Sequence, residues 1–155
     1  MASLRRMTRG IDPWPAVFVG EPGAGKTCAA LCVLDYTYGT ARYETVKTLN
    51  TKLQVALDGI DDWGEEGLSQ DRWWHYWQKA AVCCVDEIGT RHTPSDAEYD
   101  NLKQAIDIRE GRPLILITNV TDVVDLGAVY DERFVSRLLA GTIIDFGNVD
   151  RRIRK

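Results

Sequence analysis

One segment, Gly20 to Thr27 (GEPGAGKT), fits the pattern G-x-x-x-x-G-K-[ST] at every position. A short apolar run, Ala16 to Val19, precedes it, and residues 26–36 after it have helical composition. Glycines let the backbone N–H groups of such a turn face inward, and the helix adds the positive end of its dipole, so that the loop can hold phosphate oxygens. This strand–loop–helix unit predicts a nucleotide-binding α/β domain.

The residue types in the loop indicate how a nucleotide would be held. We predict that Lys26 contacts the β- and γ-phosphates of ATP, and that the Thr27 hydroxyl is a ligand of Mg²⁺. The predicted ATP-binding residues are Gly20, Glu21, Pro22, Gly23, Ala24, Gly25, Lys26, Thr27 and Cys28.

Two further apolar runs, 82–85 and 114–117, end in polar residues. Because parallel strands end at the same edge of a sheet, we expect these residues to lie beside the phosphate loop. Asp86 is the second predicted Mg²⁺ ligand, and Glu87 is placed to orient and deprotonate an attacking water. Asn119 is predicted to hydrogen-bond the γ-phosphate or that water.

Buried strands that alternate with helices predict a parallel sheet with helices on both faces, in three layers. Besides the runs above, the expected strands are 42–46 and 141–146. The other expected helices are 49–57, 71–80, one from Ser95 to about Arg109, and 131–139.

The charge of the chain is unevenly distributed. Its 155 residues have a net charge of -4, and seven basic residues lie at the two ends, so the part between Arg9 and Arg151 carries -11. An acidic body argues against broad nucleic-acid binding, but the basic ends could contact single-stranded DNA or be solvated termini. There is no apolar run long enough for a membrane span and no secretory signal, so we expect a cytoplasmic protein that does not bind membranes.

The four cysteines are Cys28, Cys32, Cys83 and Cys84. They form no C-x-x-C pair, and with two histidines in the chain a zinc site is not expected. We interpret them as small buried hydrophobic residues of a reducing cytoplasm.

Aromatic residues crowd the helix predicted at 71–80. Trp73, Trp77 and Ala80 share one face, which favours packing in the core. Trp74 points elsewhere and is expected to mark a partner surface or to stack on bases of single-stranded DNA.

The three strand-end elements, in this order, resemble the AAA+ class of P-loop ATPases, with Asn119 in the position of sensor 1. The segments Asp131–Leu139 (DERFVSRLL) and Gly141–Phe146 (GTIIDF) are similar to the helicase loader DnaC and the transposition helper IstB, and more distantly to the initiator DnaA. The resemblance covers residues 14–152, is weak between 37 and 80, and implies an AAA+ core fold.

In those families the Ser-Arg-Leu segment supplies an arginine that acts in trans on ATP held by the neighbouring subunit. The resemblance therefore implies that Arg137 is the arginine finger, with Arg133, one turn earlier, as its competitor, in a head-to-tail homo-oligomer. It also implies a replicative helicase or another DNA-processing protein as partner. The alternative is that both arginines pair with Asp131 and Glu132 on a helix surface.

We predict three segments: a basic arm over 1–13, the ATPase core over 14–150 and a basic tail over 151–155. Since about 15 residues precede the first strand and the chain ends at Lys155, we expect neither the recruitment domain nor the helical lid of those families. Arg151 and Arg152 are candidates to replace the sensor 2 arginine of the lid.

The function predicted from these residues is ATP- and Mg²⁺-dependent hydrolysis by an AAA+ ATPase that resembles DnaC-type helicase loaders. Its nucleotide state would control assembly on DNA or on a DNA-processing partner. Three alternatives remain: a small P-loop kinase, an IstB-like transposition helper, and a nucleotide-switched scaffold with weak turnover. The Asp86–Glu87 doublet favours hydrolysis over transfer to a second substrate.

Overall fold

The structure, a computed structural model, describes residues 2–58, 69–90 and 94–150. The strands are β1 (Ala16–Val19), β2 (Ala41–Thr45), β3 (Val82–Ile88), β4 (Leu114–Thr118) and β5 (Thr142–Asp145). The α-helices are α1 (Ala2–Thr8), α2 (Lys26–Asp35), α3 (Val46–Asp58), α4 (Gln70–Lys79), α5 (Asp96–Asp107) and α6 (Glu132–Leu139). A 3-10 helix spans Val123–Ala128.

The five strands pair in parallel, in the order β2-β3-β4-β1-β5. On β1, Phe18 lies opposite Ile117 of β4 on one side and Ile144 of β5 on the other. Parallel neighbours need crossover connections, and the helices between the strands supply them. The predicted α/β class with a parallel sheet is therefore confirmed.

Helices cover both faces of the sheet, because successive side chains of a strand point to opposite faces. Ala16 and Phe18 of β1 pack in the cluster that includes Ala30 and Leu34 of α2. Val17 and Val19, together with residues of α3, α4, α5 and α6, belong to the other cluster. Strands buried on both faces explain the continuous apolar runs in the sequence.

The segment expected to be a basic arm over 1–13 is folded from Ala2 to Thr8 as α1. Met7 is 1% exposed and packs in the cluster of Phe18, with Leu4 half-buried against it. These two residues lie three positions apart and therefore share one face of the helix. Part of the expected arm is thus built into the core.

The aromatic helix α4 buries three tryptophans, Trp73, Trp74 and Trp77. Core packing of Trp73 and Trp77 is confirmed, with ring centroids 5.3 Å apart, and the Trp77 Nε1 donates to the Ala105 carbonyl at 3.0 Å. The expectation of an exposed Trp74 is wrong: it is 9% exposed, and its ring lies edge-on to Trp73 at 4.8 Å. Trp74 belongs to the main core cluster, so its burial depends on packing with distant residues that helical periodicity does not reveal.

The cysteines divide into two kinds. Cys83 and Cys84 are buried in β3, and burial raises the pKa of both thiols, that of Cys83 to about 11. The interpretation as buried residues is wrong for Cys28 and Cys32, which are exposed. They lie on α2 away from the face that carries Ala30 into the core.

The basic tail predicted over 151–155 lies outside the described residues, and so do residues 59–68. No helix within the described ranges is long and apolar enough to cross a membrane.

A buried arginine joins α5 to the start of β3. Arg109 is almost completely buried, and its guanidinium donates only to backbone carbonyls within the described residues. The acceptors are Trp77 O (3.3 Å), Gln78 O (3.1 Å), Ala80 O (2.7 Å), Ala81 O (3.4 Å) and Pro113 O (2.6 Å). The charge is thus solvated by carbonyls at the carboxyl end of α4, in the turn that follows it and in the residue before β4.

Replacing Arg109 by methionine should destabilise the domain, because buried acceptors such as the Ala80 carbonyl lose their guanidinium donor. We expect the free energy of unfolding to fall by about 3 kcal/mol in urea denaturation. Arg112→Met is the matched control: Arg112 is exposed and donates to Gln78 O at 3.0 Å, so its loss should cost about 0.5 kcal/mol or less. Equal losses in the two variants would contradict the role of Arg109.

Candidate functional site

The loop between β1 and α2 has the backbone that its glycines predict. Gly20, Gly23 and Gly25 have φ angles of 130°, 84° and 98°, a region that glycine adopts without the steric cost of a Cβ. At Gly20 a Cβ would also come within 2.7 Å of the Gly147 carbonyl oxygen. Gly25 is the N-cap of α2, so the amino end of this helix opens directly onto the loop.

Lys26 is held inside this loop and is 4% exposed. Its Nζ donates to the carbonyl of Gly20 at 2.6 Å and to that of Glu21 at 2.9 Å. Burial lowers the pKa of Lys26, and the negative charges of Asp86 and Glu21 partly offset that shift. The ammonium therefore lies at the centre of the loop, against its backbone carbonyls.

Asp86 of β3 meets the loop directly and is 5% exposed. Its Oδ2 accepts from the Thr27 hydroxyl at 2.7 Å and from the Tyr43 hydroxyl at 2.8 Å. Its Oδ1 accepts from the backbone N–H of Glu87 at 2.6 Å. The two predicted Mg²⁺ ligands, Thr27 and Asp86, are thus in hydrogen-bond contact.

Glu87 lies in an irregular part of β3. The register with β4 shifts between Val85 and Ile88, which inserts one extra residue, and Glu87 has a φ of 64°. The Thr118 hydroxyl donates to the Ile88 carbonyl at 2.8 Å, which ties the irregular strand to β4. As a result Asp86 points inward, while the neighbouring Glu87 is exposed.

Asn119 directly follows β4, whose position in the sheet is between β3 and β1. The N–H of Gly20 donates to the carbonyl of Val120 at 3.2 Å, which joins the segment after β4 to the start of the phosphate loop. Asn119 is exposed. It therefore lies at the same edge of the sheet as Lys26 and Glu87.

The two predicted arginines lie on α6, and Arg137 is away from this edge. Arg137 is in a groove with Pro15 and Leu114, residues at the amino ends of β1 and β4. Its Nε contacts Asp107 Oδ1 at 2.7 Å and its Nη2 donates to Asp107 Oδ2 at 3.3 Å. Arg133 is exposed one turn earlier. Arg137 therefore pairs with Asp107 of α5, and not with Asp131 or Glu132 of its own segment as the alternative predicted.

The oxygen atoms around Asp86 fit the requirements of Mg²⁺. This ion prefers hard oxygen ligands and in proteins is held by one or two side chains together with phosphates and waters. Thr27 and Asp86 offer one hydroxyl and one carboxylate beside the phosphate loop. Within the described ranges, no group of three His, Cys, Asp or Glu side chains could hold a metal by itself.

Tyr43 is a residue of this site that sequence reasoning missed. It lies in the middle of β2, where its residue type is ordinary for a strand. Burial and the hydrogen bond to Asp86 raise the pKa of its hydroxyl. Only the pairing of β2 with β3 brings it to Asp86, so no sequence pattern could have revealed it.

Solved structures similar to this one include a helicase loader and a replication initiator. The DnaC helicase loader superposes with a TM-score of 0.71 at 19% identity, over 93% of this chain and 86% of that chain. DnaI gives 0.64 at 18%, over 93% and 81%. AMPPCP-bound DnaA from Aquifex aeolicus gives 0.67 at 14%, over 86% of this chain and 40% of that one.

This likeness shows the fold: the chain has the three-layer architecture with a parallel sheet that also occurs in DnaC, DnaI and DnaA. The chain spans 40% of the length of that DnaA protein. No protein-family model and no curated protein sequence matches it.

The left-handed backbone of Glu87 predicts a stability effect. Replacing Glu87 by glycine should raise the free energy of unfolding by about 1 kcal/mol, because the Cβ that disfavours this conformation is removed. Glu87→Gln, which retains the Cβ, is the control and should leave stability unchanged in urea denaturation. If Glu87→Gly lowered the free energy of unfolding, the inference that the backbone of Glu87 is strained would be wrong.

Proposed function

We propose that this chain is an AAA+ ATPase that binds ATP with Mg²⁺ and hydrolyses it to ADP and phosphate. The observation that carries the proposal is the 2.7 Å hydrogen bond between Thr27 and Asp86, which joins the loop to the end of β3 beside the exposed Glu87. A buried carboxylate that accepts from a hydroxyl next to a phosphate-binding loop, with a second carboxylate open to solvent, is a suitable arrangement for attack by water on a phosphoryl group.

Each side chain has a proposed task. The backbone N–H groups of the loop and the Lys26 ammonium would bind the phosphates, for which Lys26 exchanges its carbonyl partners for phosphate oxygens. Thr27 and Asp86 would hold Mg²⁺, which when bound neutralises charge that develops on the phosphate oxygens. Glu87 would accept a proton from the attacking water, and Asn119 would donate to that water or to the γ-phosphate.

The position of Arg137 supports action on a neighbouring subunit. It lies at the amino edge of the sheet, whereas Lys26 and Glu87 lie at the carboxyl edge. Its ion pair with Asp107 is partly exposed, with side-chain exposures of 35% and 44%, and such a pair contributes about 1 kcal/mol or less. Arg137 can therefore leave Asp107 at small cost when a second copy docks head to tail.

The partner belongs to the same proposal. DnaC is a helicase loader, and by analogy we propose that nucleotide state controls contact of this chain with a replicative helicase or another DNA-processing protein. Arg5 and Arg9 of the amino-terminal segment are exposed and could contact single-stranded DNA. Two further predictions concern residues 151–155: that they contact single-stranded DNA, and that Arg151 or Arg152 replaces the sensor 2 arginine.

Substitutions in the loop and at Glu87 should separate binding from hydrolysis. Lys26→Ala should weaken ATP binding at least about a hundredfold, because a charge-assisted contact to phosphate is lost. Glu87→Gln should bind ATP like the wild type but hydrolyse it roughly 10² to 10⁴ times more slowly, since the general base is removed. Fluorescent nucleotide titration and phosphate release measure the two steps, and normal turnover by Glu87→Gln would refute the mechanism.

Action in trans can be tested by mixing inactive variants. Arg137→Ala should lower ATPase activity by about 10³-fold or more, because charge on the transferring phosphoryl group is no longer stabilised. Mixed at equal amounts with Lys26→Ala, it should regain about a quarter of wild-type activity, since random head-to-tail assembly rebuilds that share of complete sites.

Arg133→Ala is the matched control for the mixing experiment. It should retain activity if Arg137 is the finger, whereas a reversed pattern would assign the role to Arg133. If neither Arg137→Ala nor Arg133→Ala regains activity when it is mixed with Lys26→Ala, the result would count against a site shared between subunits.

A further inference from the structure

Tyr43 contacts the carboxylate of Asp86, although it belongs to neither motif of the proposed site. Its hydroxyl donates to Asp86 Oδ2 at 2.8 Å, the oxygen that also accepts from Thr27 at 2.7 Å. The other carboxylate oxygen accepts from the N–H of Glu87 at 2.6 Å. Of these three donors, Thr27 comes from α2, Glu87 from β3 and Tyr43 from β2.

The position of Tyr43 is set by strand pairing and packing. Thr45 lies opposite Asp86 in the β2–β3 register, and Tyr43, two residues earlier, shares its face of the strand. The ring is half-buried and packs against the second core cluster, and it lines an open groove of about 880 Å³ together with Thr27 and Cys28. The hydroxyl is therefore presented to Asp86 by a side chain that the core holds in place.

Of the two hydroxyls that donate to Asp86 Oδ2, that of Thr27 is a proposed Mg²⁺ ligand and that of Tyr43 is not. A threonine hydroxyl has one proton and two lone pairs, so Thr27 can donate to Asp86 and still offer its oxygen to Mg²⁺. Tyr43 supplies a second donor, so that the orientation of Asp86 does not depend on Thr27 alone. A carboxylate that ligates a metal loses affinity when such an orienting partner is removed.

We propose that Tyr43 is a positioning residue that orients Asp86 for Mg²⁺ binding. This inference rests on the proposed function, since it concerns the same Mg²⁺ site. It assigns to β2, an edge strand outside both motifs, a part in the metal affinity of the domain.

The test is a Mg²⁺ titration of nucleotide binding, which needs no turnover. Wild type and Tyr43→Phe are titrated with a methylanthraniloyl-labelled ADP, first in EDTA and then at increasing Mg²⁺. We expect Tyr43→Phe to bind the labelled ADP without Mg²⁺ as the wild type does, and to need about tenfold more Mg²⁺ for half-maximal effect. Tyr38→Phe is the matched control and should match the wild type, because Tyr38 is fully exposed.

The outcomes separate this inference from the proposed function. If the wild type binds no labelled ADP at any Mg²⁺ concentration, both are overturned. If the wild type responds to Mg²⁺ and Tyr43→Phe has the same or a lower half-saturating concentration, the role of Tyr43 alone is overturned. A general loss of affinity that is equal with and without Mg²⁺ would likewise refute positioning, because it would indicate damage to the loop instead.

Discussion

Parallel pairing of the five strands is the constraint on which the candidate site depends. Because the strands run in one direction, the carboxyl ends of β1, β3 and β4 meet at one edge of the sheet. The phosphate loop follows β1, Asp86 lies near the carboxyl end of β3, and Asn119 follows β4. Residues far apart in the chain therefore become neighbours. The hydrogen bond from Thr27 to Asp86 is the direct contact that results.

Charges at this edge are compensated locally before any ligand binds. Lys26 lies against two backbone carbonyls, and Asp86 accepts three hydrogen bonds, so these contacts offset part of the desolvation cost of burying each charge. Glu87 differs, since the inserted residue in β3 turns its side chain to solvent. A buried carboxylate held by three donors beside an accessible carboxylate supports the proposal of hydrolysis, because preorganised groups need little rearrangement during the reaction.

The direction of the strands also separates the two halves of the proposed catalytic machinery. Helix α6 brings Arg137 to the amino edge, where Asp107 at the end of α5 holds it. An arginine placed there is remote from the loop of its own subunit. This position is compatible with the proposed site that is completed by assembly, in which a neighbour would replace Asp107 as the partner of Arg137.

The sequence by itself determined the features that depend on local backbone chemistry. The sequence alone reveals the glycines that adopt positive φ, the apolar runs buried on both faces and the two carboxylates near the end of β3. These features predicted the α/β fold and the phosphate loop. Tertiary structure alone decided the burial of Met7 and Trp74, the partner of Arg137 and the contact of Tyr43 with Asp86. The physical reason is that burial and hydrogen-bond partners depend on which distant element packs against a side chain, and local sequence does not contain that information.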